Sequence, residues 1–111
     1  MYSEDGNRVR VANGLMGRAV AYVDRPVAFA DGSNSTITLH RKPDGGAIFA
    51  KEDGTGFYYA SNSEEGTADE GEEEYTGGVG VLEMDEDHNV IDYYMGLNGT
   101  VNNCAGGRTP W

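Results

Sequence analysis

A single cysteine, Cys104, stands among 111 residues, so no disulfide can close within the chain. Its thiol is a small buried hydrophobe, a free thiol, an intermolecular link or a metal ligand, and cysteine pairing assigns no compartment. Basic residues are scarce as well: 8 against 19 acidic ones, for a net charge of −11. A chain so short of Lys and Arg is poorly suited to nucleic-acid phosphates. The charge favours solubility, and divalent cations are its more natural partners. No apolar run reaches the length of a membrane-spanning helix. The stretch after Met1 is polar and lacks the apolar centre of a secretory leader, so an exported form would start downstream of a removed one. A sustained apolar stripe of helical period is also missing.

What is present is glycine, 17 of them, together with short runs of β-branched and aromatic residues between Gly, Asp and Asn clusters. That pattern predicts an all-β chain of antiparallel meanders. Val9–Val11 reads as a short strand and Arg18–Ala28 as a longer one, with Pro26 ending its pairing or placing it on an edge. Thr36–His40 and Ala47–Lys51 read as strands joined by a turn at Pro43-Asp44-Gly45-Gly46. Asp53-Gly54 makes the next turn, and Gly56–Ser61 follows as a strand. Gly78–Met84 and Val90–Leu97 are the last two strands, linked by the polar run 85–89. Their recurrence at roughly 8 to 12 residues fits sandwiches, barrels or propeller blades.

Residues 64–77 form an acidic surface loop: Glu64 to Glu74 alone contains seven carboxylates and nothing apolar larger than Ala68. Asp85-x-Asp87-x-Asn89 starts like a calcium loop, but Val90 stands where such a loop needs Gly, and Gly96 where it needs Glu; it reads as a hairpin turn. His40 and His88 adjoin no nucleophile pattern and read as structural or solvent-facing. The doublets Tyr58-Tyr59 and Tyr93-Tyr94 put one ring on each face of a strand. Asn34-Ser35-Thr36 and Asn98-Gly99-Thr100 satisfy the glycosylation pattern, which favours a secreted, extracellular setting. Residues 102–111 are Gly- and Asn-rich without strand periodicity and read as a loop built for close approach, and a chain ending on Trp111 straight after it reads as cut short.

The segments HRKPDGGAIF, YYASNSE, GGVGVLEMDEDHNVIDYYMGLNGT and above all NCAGGRTPW resemble the opening region of PhoX-type alkaline phosphatases, over about His40 to Trp111. The resemblance implies a β-propeller with a central site of calcium and iron ions that hydrolyses phosphate esters outside the cytoplasm. It implies Cys104 as an iron ligand and Asn62 and Glu64 as polar groups at the site. A thiolate suits iron because a soft anionic sulfur stabilises the ion. The family motif continues past the tryptophan into further ligands that this sequence does not contain. Residues 1–111 therefore read as a single incomplete domain, one to two blades of a propeller and catalytically incomplete. The remainder of the propeller would be its partner. Alternatively, further copies of the chain pair at exposed strand edges and build a non-catalytic extracellular ring or filament.

Overall fold

The computed structural model describes residues 3–4, 10–66, 77–107 and 109–110. Among them every regular element is a strand and every strand pairing is antiparallel, as the sequence predicts. Strands β1 (Ser3–Glu4) and β2 (Arg10–Val11) pair with each other, as do β3 (Pro26–Ala28) and β4 (Asn34–Thr38). Strands β5 (Pro43–Ala50), β6 (Gly56–Ser63), β7 (Gly77–Asp85) and β8 (Val90–Thr100) form one four-stranded meander in chain order. No helix among the described residues is long and apolar enough to cross a membrane.

Strand alternation explains the two faces of the meander. On one face the register aligns Phe57 with Met84, Tyr59 with Leu82 and Tyr93, and Ser61 with Gly80 and Met95. The β3–β4 hairpin lies over this face, and its Val27 joins Leu39, Leu82, Met84, Val90 and Tyr93 in the buried core. The Ala30 amide donates to the Val90 carbonyl at 2.8 Å and ties the hairpin to β8. Arg18, in the segment before the hairpin, donates to the His88 carbonyl at 2.6 Å and ties that segment to the β7–β8 turn. The hairpin is itself pinned from inside: the Ser35 hydroxyl accepts from the Val27 amide at 2.7 Å and donates to the Ile37 carbonyl at 2.6 Å.

The other face aligns Phe49 with Tyr58 and Glu83, Ala47 with Ala60, Val81 and Tyr94, and Val79 with Leu97. It is also apolar, and Phe49, Tyr94 and Leu97 remain 38%, 40% and 49% exposed. Its charged members neutralise each other: Lys51 meets Glu83 at 2.5 Å and lies 5.5 Å over the Tyr58 ring. Both tyrosine doublets thus put one ring on each face, as expected.

Three expectations about the first half are corrected. The long strand over Arg18–Ala28 is not formed; 26–28 is the one stretch of it that pairs as a strand, apart from an isolated bridge from Val23 to Leu39, and Pro26 opens the strand rather than closing it. Asp24 adopts a left-handed φ of 61°, which turns the chain just before, and its carboxylate holds Arg41 at 2.7 Å. Residues 43–46 are not a turn but the start of β5, and the reversal falls at Lys42, φ 43°. Consequently β4 pairs back with β3 instead of forward with β5. The turns at Asp53-Gly54 and 85–89 form as read: Asp53 accepts from the Thr55 amide and Asp85 from the Asn89 amide. Those bonds hold both carboxyls below their ordinary range. Residues 64–66 have no regular structure, while 67–76 of the acidic loop, Val9, Arg108 and Trp111 lie outside the described residues.

Candidate functional site

At one end of the meander, segment 101–107 crosses from the end of β8 back to the start of β5. Its central residues, 102–105, are held by hydrogen bonds. The Asn102 amide donates to the Glu65 carbonyl at 2.8 Å, and the Asn103 side chain donates to the Gly78 carbonyl at 3.0 Å and to Thr100 Oγ1 at 2.6 Å. The Cys104 carbonyl accepts from the Gly45 amide at 3.1 Å, and the Ala105 carbonyl accepts from Asn62 Nδ2 at 3.2 Å. Gly45 lies close to this segment: an added Cβ would stand 3.0 Å from the Cys104 carbonyl oxygen and 3.1 Å from the Ala105 Cα, so a side chain there would push the segment back by a few tenths of an ångström. The close approach read into the Gly-rich segment is therefore real, and its second surface is the start of β5.

Of the three sequence-predicted site residues, Asn62 on β6 anchors the loop that carries Cys104, through the carbonyl of the neighbouring Ala105. The amide group of Asn62 is engaged in holding that loop, so Asn62 acts as a positioning residue. The Cys104 thiol is free and exposed. Glu64, just beyond β6, forms a carboxyl–carboxylate pair with Asp44 of β5. The hydrogen bond to Asp44, burial and the like charge of Asp44 push the Glu64 carboxyl up, with Lys42 opposing. Glu64 thus binds its proton more tightly folded than unfolded. Its stabilising contribution is present below pH 4.5 and is lost as pH rises through the folded value. Lys42 is turned to Glu65 at 3.1 Å. Asp44, which sequence reasoning treated as a turn residue, is the acidic group the reading missed; only the pairing of β5 with β6 brings it beside Glu64.

Among the described residues no three of His, Cys, Asp and Glu converge in a way that could hold a metal ion. Asp44 and Glu64 with a separate thiol at Cys104 are too few for a closed calcium or iron site. Both sequon residues, Asn34 at the start of β4 and Asn98 on β8, are exposed.

A second polar cluster lies inside the fold. His40 Nδ1 stands 3.1 Å from the Tyr93 hydroxyl and Nε2 3.1 Å from the Ser61 hydroxyl, while the His40 amide donates to the Tyr93 oxygen at 3.0 Å. The serine–histidine contact has the length of a nucleophile–base pair. Ser61 is only 4% exposed, however, so the cluster joins the core rather than serving a reaction. His88, by contrast, is exposed, with its ring 5.6 Å from that of Phe57. Comparison with family models, curated proteins and solved structures found no match to this chain.

Proposed function

We propose that the β5–β8 meander is one blade of an extracellular, metal-dependent phosphoesterase-like β-propeller, and that this chain supplies only part of the site. The observation that carries the reading is the return of the Cys104 loop across the sheet end to Asn62, beside the Asp44–Glu64 pair. A four-stranded antiparallel meander is the unit of a propeller blade. A sheet apolar on both faces is what a blade stacked between neighbours needs. In a completed propeller, calcium would be the ion for Asp44 and Glu64 and iron the ion for the Cys104 thiolate. The residues of this chain do not make that site alone. Their part is to hold a thiol and a carboxylate pair at one end of a rigid sheet. The exposed sequon asparagines agree with an extracellular setting.

The test is phosphate release from a simple phosphomonoester with calcium and iron supplied. The isolated chain is expected to give none. The chain joined to the further blades is expected to turn over and to lose its iron on Cys104→Ser, measured by metal analysis. No turnover from either form contradicts the proposal.

A second reading is favoured by the exposed Phe49, Tyr94 and Leu97 beside the edge strands β5 and β8. Copies of the chain would cover one another's open faces and assemble without any chemistry. Light scattering that shows particle mass rising with concentration would favour it, and a monomer at all concentrations excludes it.

A further inference from the structure

We propose that His40 is a proton-operated latch: protonation of its ring releases the β3–β4 hairpin and uncovers the inner face of the meander. The proposal stands on what surrounds the ring, independently of the phosphoesterase reading. His40 follows Leu39, the core residue that bridges to Val23 at the end of the hairpin. It reaches across to the sheet, where β8 presents Tyr93 and Met95, β7 presents Gly80, and β6 presents Ser61 and the backbone of Asn62. Gly80 makes room for the imidazole, since any Cβ there would run into Nδ1.

A neutral imidazole needs one donor and one acceptor among its two partners, and two hydroxyls provide that without strain. The cation has two donors. At least one hydroxyl must then turn its own hydrogen away. For Tyr93 the other acceptor in reach is the Met95 sulfur at 3.5 Å, a weak one.

Among the described residues no carboxylate pairs with the ring to compensate the new charge. Tyr93 is the titratable group that faces the ring, and burial pushes its phenol up, so it stays neutral. Asp24 is held by Arg41, Glu65 by Lys42, and Glu64 by Asp44. Glu83 points to the opposite face with Lys51, and Asp92 accepts from the Tyr93 amide at 2.7 Å. The adjoining Arg41 and Lys42 are themselves cations. Burial accordingly lowers the affinity of His40 for a proton, with a contact to the Asn62 backbone as the opposing influence.

The sign follows directly. The unfolded or released histidine binds its proton near pH 6.5, and the latched one binds it lower. The latch is therefore fully closed above 6.5 and weakens as pH falls through the window between the two values. Each unit of separation multiplies the released population tenfold. Glu64 titrates in the opposite sense, its contribution to stability growing as pH falls, so it cannot produce the same loss.

The chain has only two histidines, which makes the experiment clean. Binding of the dye 1-anilinonaphthalene-8-sulfonate, which reports uncovered apolar surface, is followed from pH 8 to 5. Dye binding should rise several-fold on acidification in the unaltered chain and in His88→Gln, and stay flat in His40→Gln. Should His40→Gln fail to fold, NMR titration of the unaltered chain decides. The expected result is a His40 ring titrating below 6.5, with the amides of Val27 and Leu39 losing exchange protection in step. A His40→Gln profile that matches the unaltered chain overturns the latch, as does a ring that titrates without loss of protection at Val27 and Leu39.

Discussion

Replacing Gly56 with alanine is expected to destabilise the fold by roughly 2 to 6 kcal/mol, a left-handed backbone and a steric overlap each costing about 1 to 3. Gly56 opens β6 with φ at 145°, a region that side chains rarely enter. An added Cβ would also collide with the Met84 carbonyl oxygen and stand 2.9 Å from the Asp85 Cα. Neither neighbour is a flexible side chain. Both belong to the β7 backbone, whose ladder with β6 pairs Gly56 with Asp85 and Phe57 with Met84. Relief therefore means opening the end of the central strand pair. Gly54→Ala is the control: φ is 75° but no atom lies within 4 Å of the added carbon, so the cost is limited to about 1 to 2 kcal/mol of backbone strain. Urea unfolding of the two variants at pH 7 should show the larger loss at Gly56.

Leu82→Ala should cost about 2 to 5 kcal/mol. Leu82 is 6% exposed at the centre of β7, on the face that receives Val27 and Leu39. Among the described residues six buried apolar side chains make up the core, and a domain of this size is stable by roughly 5 to 15 kcal/mol, so one truncation removes a large share. Ile48→Ala shortens a side chain of similar size that is 58% exposed on β5, and should change stability by no more than about 0.5 kcal/mol. Equal losses at the two positions would mean that the hairpin does not cover the meander where Leu82 lies.

The second half of the fold is legible in the sequence because its signals are local. The short apolar run Gly78–Met84, the split of each tyrosine doublet and the Asp53-Gly54 turn need no distant partner to be understood. The first half is different. Pro43-Asp44-Gly45-Gly46 carries turn chemistry, yet Gly45 is there to admit the backbone of Cys104 and Ala105, and Gly46 lies against the Tyr59 ring. Those are facts about residues far along the chain. The pairing of β4 with β3 is likewise decided by where Val27 and Leu39 can be buried, not by the spacing of the strands. His40 looked inert because its partners, Ser61 and Tyr93, lie 21 and 53 residues away.

The candidate site was legible in a different way. Cys104, Asn62 and Glu64 were picked out by resemblance alone, and no periodicity or spacing joined them. The link between Asn62 and the Cys104 loop is a hydrogen bond between a strand side chain and a loop carbonyl, which no local pattern encodes. Asp44 escaped notice for the same reason.

The meander has two apolar faces, of which the described residues cover one. Hydroxyl-radical footprinting reads that directly, residue by residue. In the dilute isolated chain Tyr94 and Leu97 should be oxidised readily while Leu82 and Tyr93 are spared. In the proposed propeller, joining the neighbouring blades should protect Tyr94 and Leu97 as well. Tyr94 and Leu97 that oxidise as fast in the joined protein as in the isolated chain would contradict it.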